Sequence, residues 1–555
     1  MHKILKKTIK YTACGIGVLL LAIILFVSIL YFSADMLTPD YTPKANGELV
    51  QTDSLREYAG NYLRQSNSGL WELKVSGDAF QRGEAIGKLS SDLLYYQEKV
   101  FVDQIREIVP SDNYLKFLRF FIVLFNRNLG KNVPEEFRDE IYGISLSCTH
   151  EYDFIGTPYE RQLNYHSAHD LGHAMQDYML VGCSSFATWG ENSADSSLVI
   201  GRNFDFYMGD KFAHNKLVSF YQPEQGYKFA SVGWPGMIGV LSGMNETGLT
   251  VTINAAKSDM PTASATPISI LTREILQYAS TIDEAYAIAL KRKTFVSESI
   301  LIGSAQDGRA AIIEKSPEKT ALFTSSGNQI ICTNHYQSDT FRNDERNKEN
   351  IATSDSPYRF ARLQELLKEN KPIDPMKAAS ILRNQKGLDN IDLGMGNEMA
   401  INQLIAHHSV IFLPEKQIMY VSTSPWQCGK YMAYDLNKIF SDTIDFHHEI
   451  ATLSLTIPED NFISQANYKQ FMAYRNLTKL IREKIQRKET IETKVLNLYE
   501  ASNPSFYYVY EVLGDYYAAI QQTDTAMTYW QKALTMPIPK QAEKVRIQQK
   551  INKNQ

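Results

Sequence analysis

From Cys183 onward the sequence abandons helical spacing for strands. Between Ser54 and Asp139 apolar residues recur at helical intervals, as in LLYYQEKVFVDQIREI and YLKFLRFFIVLFNRNL. After Cys183, SLVIGRNFDF, KLVSFYQPE and KFASVGWPG are β-rich runs broken by Gly, Pro and Asn, and GVLSGMNETGLTVTINA predicts a hairpin about Asn245-Glu-Thr-Gly248. Two helices follow, the second opened by Thr281 and Glu284 at capping-box spacing. Strands return in SILIGSAQDGRAAIIEKS, turned at Asp307-Gly308, and in TALFTSSGNQIICTNH. Strands, two helices, then strands again require sheets covered by helices, a layered α+β fold.

The two ends of the chain differ from this middle. Lys3, Lys6, Lys7 and Lys10 precede an uncharged stretch from Tyr11 to Phe32. At about 1.5 Å per residue such a helix crosses a hydrocarbon core of roughly 30 Å. SILYFSADM makes a poor cleavage site, so an uncleaved single-pass anchor is expected, with the chain beyond it outside the cytoplasm, in the periplasm if the cell is bacterial. The expected order is a basic cytoplasmic tail (1–10), an anchor (11–32), a polar, Pro-containing linker (33–53), a helical segment (54–182), the layered domain (183–446) and a helical extension (447–555). In the extension, Tyr510, Leu513, Gly514, Tyr517, Ala526, Trp530 and Ala533 fit a tetratricopeptide-like helix pair, whose expected role is to pack on the layered domain or recruit a protein partner.

With 57 Lys and Arg against 62 Asp and Glu and no basic run past the N-terminus, there is no nucleic-acid footprint. Cysteines 14, 148, 183, 332 and 428 make neither a disulfide framework nor a CxxC zinc pattern, although a Cys148–Cys332 bridge stays open. RGEAIGKLS has three residues between its glycines and Leu89 after Lys88, so it is no phosphate loop. His166, His169, Asp170 and His173 have residue types suited to a metal, but a hydrogen-bonded loop or an aid to processing is the preferred account. No metal and no cofactor are expected.

Gly182-Cys183 is the candidate for chemistry, and a small, buried, inert thiol is the other reading of the pair. A free thiol has a pKa of about 8.5 and needs a neighbouring cation or base to become a thiolate. An α-amino group, pKa about 7.7–8.0, is a suitable base, and an internal Cys acquires one only when the preceding peptide bond is cut. Gly182, lacking Cβ, leaves its carbonyl open to attack by the thiol. Arg202 and Asp205, nineteen and twenty-two residues downstream in GRNFDF, are placed to return on a strand beside that thiol.

Together Cys183, GRNFDF, GMNETGLTVTIN, CTNH and SPYRFARL resemble the N-terminal-nucleophile hydrolases of the choloylglycine hydrolase, acid ceramidase and penicillin acyltransferase group. The nearest branch is the acyl-CoA:6-aminopenicillanate acyltransferase type, peptidase family C45. ELKVSGDAFQRGEAIGKL resembles that branch's upstream segment, and the likeness runs from about Leu73 to Cys428. The resemblance implies a four-layer αββα sandwich and self-cleavage between Gly182 and Cys183. It implies that Cys183 is nucleophile and, through its freed amine, base. Arg202 and Asp205 would flank the thiol and amine, Asn254 would serve the oxyanion, Asn334 would bind substrate or the α-amine, and Arg359 would be the late arginine, with Arg362 near enough to compete.

The expected activity is hydrolysis of a linear, non-peptide N-acyl amide through a thioester. The alternatives are acyl-CoA-dependent N-acyl transfer through the same intermediate, and a non-catalytic membrane-anchored scaffold binding partners through its C-terminal helices.

Overall fold

The computed structural model describes the chain apart from residues 1, 33, 35, 42–46, 53, 109–110, 175–179, 258–263 and 555. The described residues form an eleven-stranded and a six-stranded sheet. The larger runs in the order Val50–Gln51, Leu55–Tyr58, Asn61–Gln65, Trp71–Gly77, Leu217–Pro223, Phe229–Gly233, Ser242–Asn245, Leu249–Ala255, Glu298–Ser304, Arg309–Lys315 and Thr320–Thr324. The smaller runs Gln329–Cys332, Leu180–Gly190, Ser196–Tyr207, His408–Leu413, Ile418–Ser422 and Tyr431–Asp435.

Residues 55–77 correct the sequence expectation, which made 54–182 helical: they are three strands extending the larger sheet. Ala59 and Gly60 both take positive φ (48° and 74°), the backbone of a two-residue hairpin turn. Trp71–Gly77 then joins Leu217–Pro223 in parallel, whereas the other named strand pairs are antiparallel. Helices take over at Ala79–Leu89, which Asp78 and Gln81 open with a capping box.

Alternation along each strand sorts side chains between clusters. Leu301, Ile312, Val218 and Phe220 of the larger sheet bury against Ile200, Val410 and Phe412 of the smaller. Ile300, Ile302 and Ile313 instead meet helix residues such as Ile141, Leu271 and Ile275. On the smaller sheet, Ile411 and Leu413 meet Leu363, Leu367, Ala378 and Leu382. Ile268–Tyr278 and Ile282–Lys291 are the two expected helices, and the Thr281 hydroxyl caps the second by accepting from the Glu284 N–H at 3.3 Å.

The glycines of RGEAIGKLS lie on the helix Ala79–Leu89, where a Cβ at Gly83 would strike the Glu140 backbone of the helix Glu135–Ser145. They permit a close helix crossing. Beside it the buried Glu140 carboxylate accepts from Arg82 at 2.8 Å and from Arg273 at 3.3 Å.

The C-terminal helices include Ala466–Arg487, Tyr507–Ala519 and Thr523–Leu534, and their cluster takes in Leu404 and Cys428, so they dock on the sheet-bearing part. Tyr510, Leu513, Ala526, Trp530 and Ala533 are buried, with Trp530 packed over Gly514. At the other end, His2–Phe32 is one helix, and its window Cys14–Tyr31 has mean hydropathy 2.8 and no buried residue, the length and composition of a membrane span or a signal sequence. All five cysteines are free, so Cys148 and Cys332 are unbridged.

Replacing Glu140 with Ala would leave two buried guanidinium groups without their shared carboxylate. The urea midpoint of that variant should report a loss of about 3–5 kcal/mol; an unchanged midpoint would show that the cluster contributes nothing.

Candidate active site

Cys183 lies on the strand Leu180–Gly190, folded back on Ser196–Tyr207 with Cys183 opposite Phe204, Ser185 opposite Arg202 and Gly182 opposite Asp205. Cys183, Ser185 and Arg202 therefore share one face, and Gly182, Ser184 and Asp205 the other. This register brings Arg202 to the thiol: its Nη2 donates to Cys183 Sγ at 3.7 Å. The guanidinium is itself buried, donating to Ser242 Oγ at 2.6 Å and to the Ile253 carbonyl, with its carbon 4.3 Å from the centre of the Phe204 ring.

The backbone of Cys183 is clamped from the other side of the strand. Its N–H donates to Asn334 Oδ1 at 3.0 Å, and its carbonyl accepts from Arg359 Nη1 at 2.5 Å. Arg359 Nη2 also donates to Asn334 Oδ1 at 2.7 Å, while its Nε reaches Asp355 at 2.8 Å. Cys332 pairs with Ser185, so Asn334, two residues on, comes level with Cys183. Between the two candidate arginines the geometry separates clearly, because Arg362 is bound to Glu365, Asn384 and Asn390.

Asn254 is engaged by its neighbours. Its Nδ2 donates to the Cys332 carbonyl at 2.8 Å and the Thr333 carbonyl at 3.4 Å, and its Oδ1 accepts from Ser185 at 2.9 Å. Asp205 is fully buried, and neither carboxylate oxygen has a hydrogen-bond partner among the described residues. Burial pushes its carboxyl up to about 8 despite the pull of Arg359 and Arg202. Burial likewise pushes the Cys183 thiol up to about 11, against Arg202, which favours the thiolate; Asp205 and Glu298 disfavour it.

Three features escaped sequence reasoning. His408 Nε2 lies 2.9 Å from Ser242 Oγ and 3.3 Å from Arg202 Nη1, and its Nδ1 faces His407 Nδ1 at 2.9 Å. Burial drives both imidazoles down, His407 to about 3, so both are neutral and His408 accepts from Arg202. Gln403 lies against Gly182, with Nε2 3.5 Å from its carbonyl oxygen, and a Cβ on Gly182 would come within 2.7 Å of that nitrogen. The available signal was the pair of histidines in QLIAHHSVIF, at the start of a strand.

The histidine stretch is helical (Pro158–Ala174), contrary to the loop expected. His166 is buried, bonded to the Gln162 carbonyl at 2.7 Å and accepting from the Ile238 N–H at 3.1 Å. The side chains of His169, Asp170 and His173 fall outside the described residues. Among the described residues no group of three or more His, Cys, Asp or Glu is arranged to hold a metal ion.

The described residues thus form two mainly antiparallel sheets that share buried side chains with each other and with helices, and a buried cysteine is held on a strand of the smaller one. Residues 190–403 match the family model described as acyl-coenzyme A:6-aminopenicillanic acid acyl-transferase, which bears out the family resemblance over that stretch. It holds Arg202, Asp205, Asn254, Asn334 and Arg359 and begins after Cys183. A protein of Archaeoglobus fulgidus is 25% identical over 278 residues, covering 47% of this chain and 46% of that protein. Protein dcd1B of Dictyostelium discoideum is 23% identical over 271 residues, covering 45% of this chain and 51% of that protein. The chain thus spans about half the length of the curated relatives it matches. Among solved structures, a Caenorhabditis elegans N-acylethanolamine-hydrolyzing acid amidase ortholog is similar at TM-score 0.32 and 14% identity, over 42% of this chain and 93% of that one. A mutant conjugated bile acid hydrolase from Clostridium perfringens is similar at TM-score 0.31 and 14% identity, over 46% and 93%.

An acid whose pKa is higher in the fold than in the unfolded chain stabilises the fold at low pH. For Asp205 that stability is complete below about pH 4 and is lost as pH rises through about 8. In a Cys183→Ala chain the urea midpoint should therefore fall across this window, and adding Asp205→Asn should flatten the fall. Equal slopes in the two chains would contradict the assignment.

Proposed function

We propose that this chain is a self-processing cysteine N-terminal-nucleophile amidohydrolase on a four-layer αββα frame. The sharing of buried residues between the sheets, and of alternate residues with helices, supports the layering. The observation that carries the chemistry is the Arg202 guanidinium 3.7 Å from the Cys183 sulfur, with Asn334 and Arg359 holding the backbone of the same residue.

In the first step Cys183 Sγ attacks the Gly182 carbonyl carbon. The C–N bond breaks, the nitrogen takes up a proton as the α-amine of Cys183, and water hydrolyses the thioester to leave a Gly182 carboxylate and a free thiol. Gln403, beside the scissile oxygen, supports this step as a donor to the oxyanion. The buried carboxyl of Asp205, without a hydrogen-bond partner among the described residues, supports a role in receiving the positive charge that cleavage creates. Asn334 Oδ1, already on the Cys183 nitrogen, holds that amine in place.

The freed amine then takes the thiol proton as Cys183 attacks an N-acyl amide. The acyl group passes to sulfur, the leaving amine takes the proton, and water releases the acid. The oxyanion role implied for Asn254 requires its amide to leave the carbonyls of Cys332 and Thr333. Acyl transfer is the second outcome of the same thioester, favoured by the description of the matching family as an acyl-transferase. An amine in the site would then replace water.

Purified protein should give two polypeptides, the second beginning at Cys183, whereas Cys183→Ala should remain one. Gln403→Ala should slow the appearance of the fragments by about 10²-fold, the scale of a lost oxyanion donor. A wild-type chain that stays intact would defeat self-processing. Product analysis with N-acyl amino acids and with acyl-CoA plus an amine separates hydrolysis from transfer.

A further inference from the structure

The helix Asp112–Phe125 presents a stripe of exposed aromatic rings. Tyr114, Phe117 and Phe121 are 49%, 55% and 50% exposed, while Leu115 and Val123 of the same helix are buried against the protein. At about 100° per residue the three rings fall on one side. They touch one another, with centroids 5.9 Å apart for Tyr114 and Phe117 and 5.0 Å for Phe117 and Phe121. Rings at this exposure, grouped on one helix, mark a surface that water does not cover favourably.

The cover is indicated by the neighbour. Phe120, next along the helix, stacks on Tyr31 with centroids 5.3 Å apart. Tyr31 is the last residue of the apolar window Cys14–Tyr31, which is wholly unburied. A retained helix of that composition is covered by hydrocarbon, and its final tyrosine then lies at the membrane–water boundary, where aromatic side chains are enriched. The exposed rings are continuous with that boundary.

We propose that Asp112–Phe125 is an interfacial helix, lying on the same phospholipid bilayer that His2–Phe32 crosses, with Tyr114, Phe117 and Phe121 among the lipid headgroups and upper acyl chains. It gives the protein a second membrane contact and fixes how the sheet-bearing part sits on the surface, a role independent of the chemistry at Cys183. It rests on retention of the N-terminal helix. Lys116 is about 100° round the helix from Phe117 and about 140° from Phe121, off the stripe that the three rings form.

The test uses the full chain in phosphatidylcholine vesicles doped with a photoactivatable phosphatidylcholine, with adducts mapped by peptide mass spectrometry. Lipid adducts are expected on residues 112–125 as well as within Cys14–Tyr31. Phe117→Glu with Phe121→Glu should lose the first set and keep the second, and Lys116→Glu should keep both. Adducts confined to Cys14–Tyr31, as a water-facing or protein-covered patch would give, overturn the proposal. Removal of residues 1–32 from the vesicle-bound protein overturns it as well.

Discussion

A buried guanidinium beside a buried sulfur is the contact on which the arrangement depends. Desolvation alone makes the Cys183 thiol a poor acid, and Arg202 is the largest influence in the opposite direction. Arg202 holds its position through Ser242, the Ile253 carbonyl, the neutral His408 and the face of Phe204. The contact is a matter of register: a slip of one residue between the strands Leu180–Gly190 and Ser196–Tyr207 would turn Arg202 to the opposite face.

Residues far apart in the chain converge because an edge strand and a helix deliver them. The strand Gln329–Cys332 pairs with the cysteine strand and carries Asn334 to the level of Cys183. The helix Ser356–Asn370 then brings Arg359 onto both Asn334 and the Cys183 carbonyl. The closeness of Gln403 gives Gly182 a steric reason as well as a chemical one, since any side chain there would meet that amide.

Much of this was legible in the sequence, where local chemistry is strong. The Asn245–Gly248 turn, the Thr281 cap and the Asp307-Gly308 turn each have a local signature, and the paired strands and the helix follow them. Cys183, Arg202, Asn334 and Arg359 were nameable because motif order anticipates contacts that the sheet register then makes. Residues 55–77 were misread because the Ala59-Gly60 turn lacks the usual Asn or Asp at its first position. The engagement of Asn254 with two carbonyls, and the support of Arg202 by His408, arise from strands distant in sequence, so no local spacing announces them.

The proposed chemistry puts the acyl group on one sulfur, that of a cysteine freed at its own backbone nitrogen. Intact-mass analysis of protein quenched in acid during turnover of an N-acyl amide tests it most directly. An adduct equal to the acyl group, labile to hydroxylamine, is expected on the Cys183 thiol of the fragment that begins with that residue. Turnover with no such adduct under rapid quenching, or with the acyl group on another residue, would contradict it.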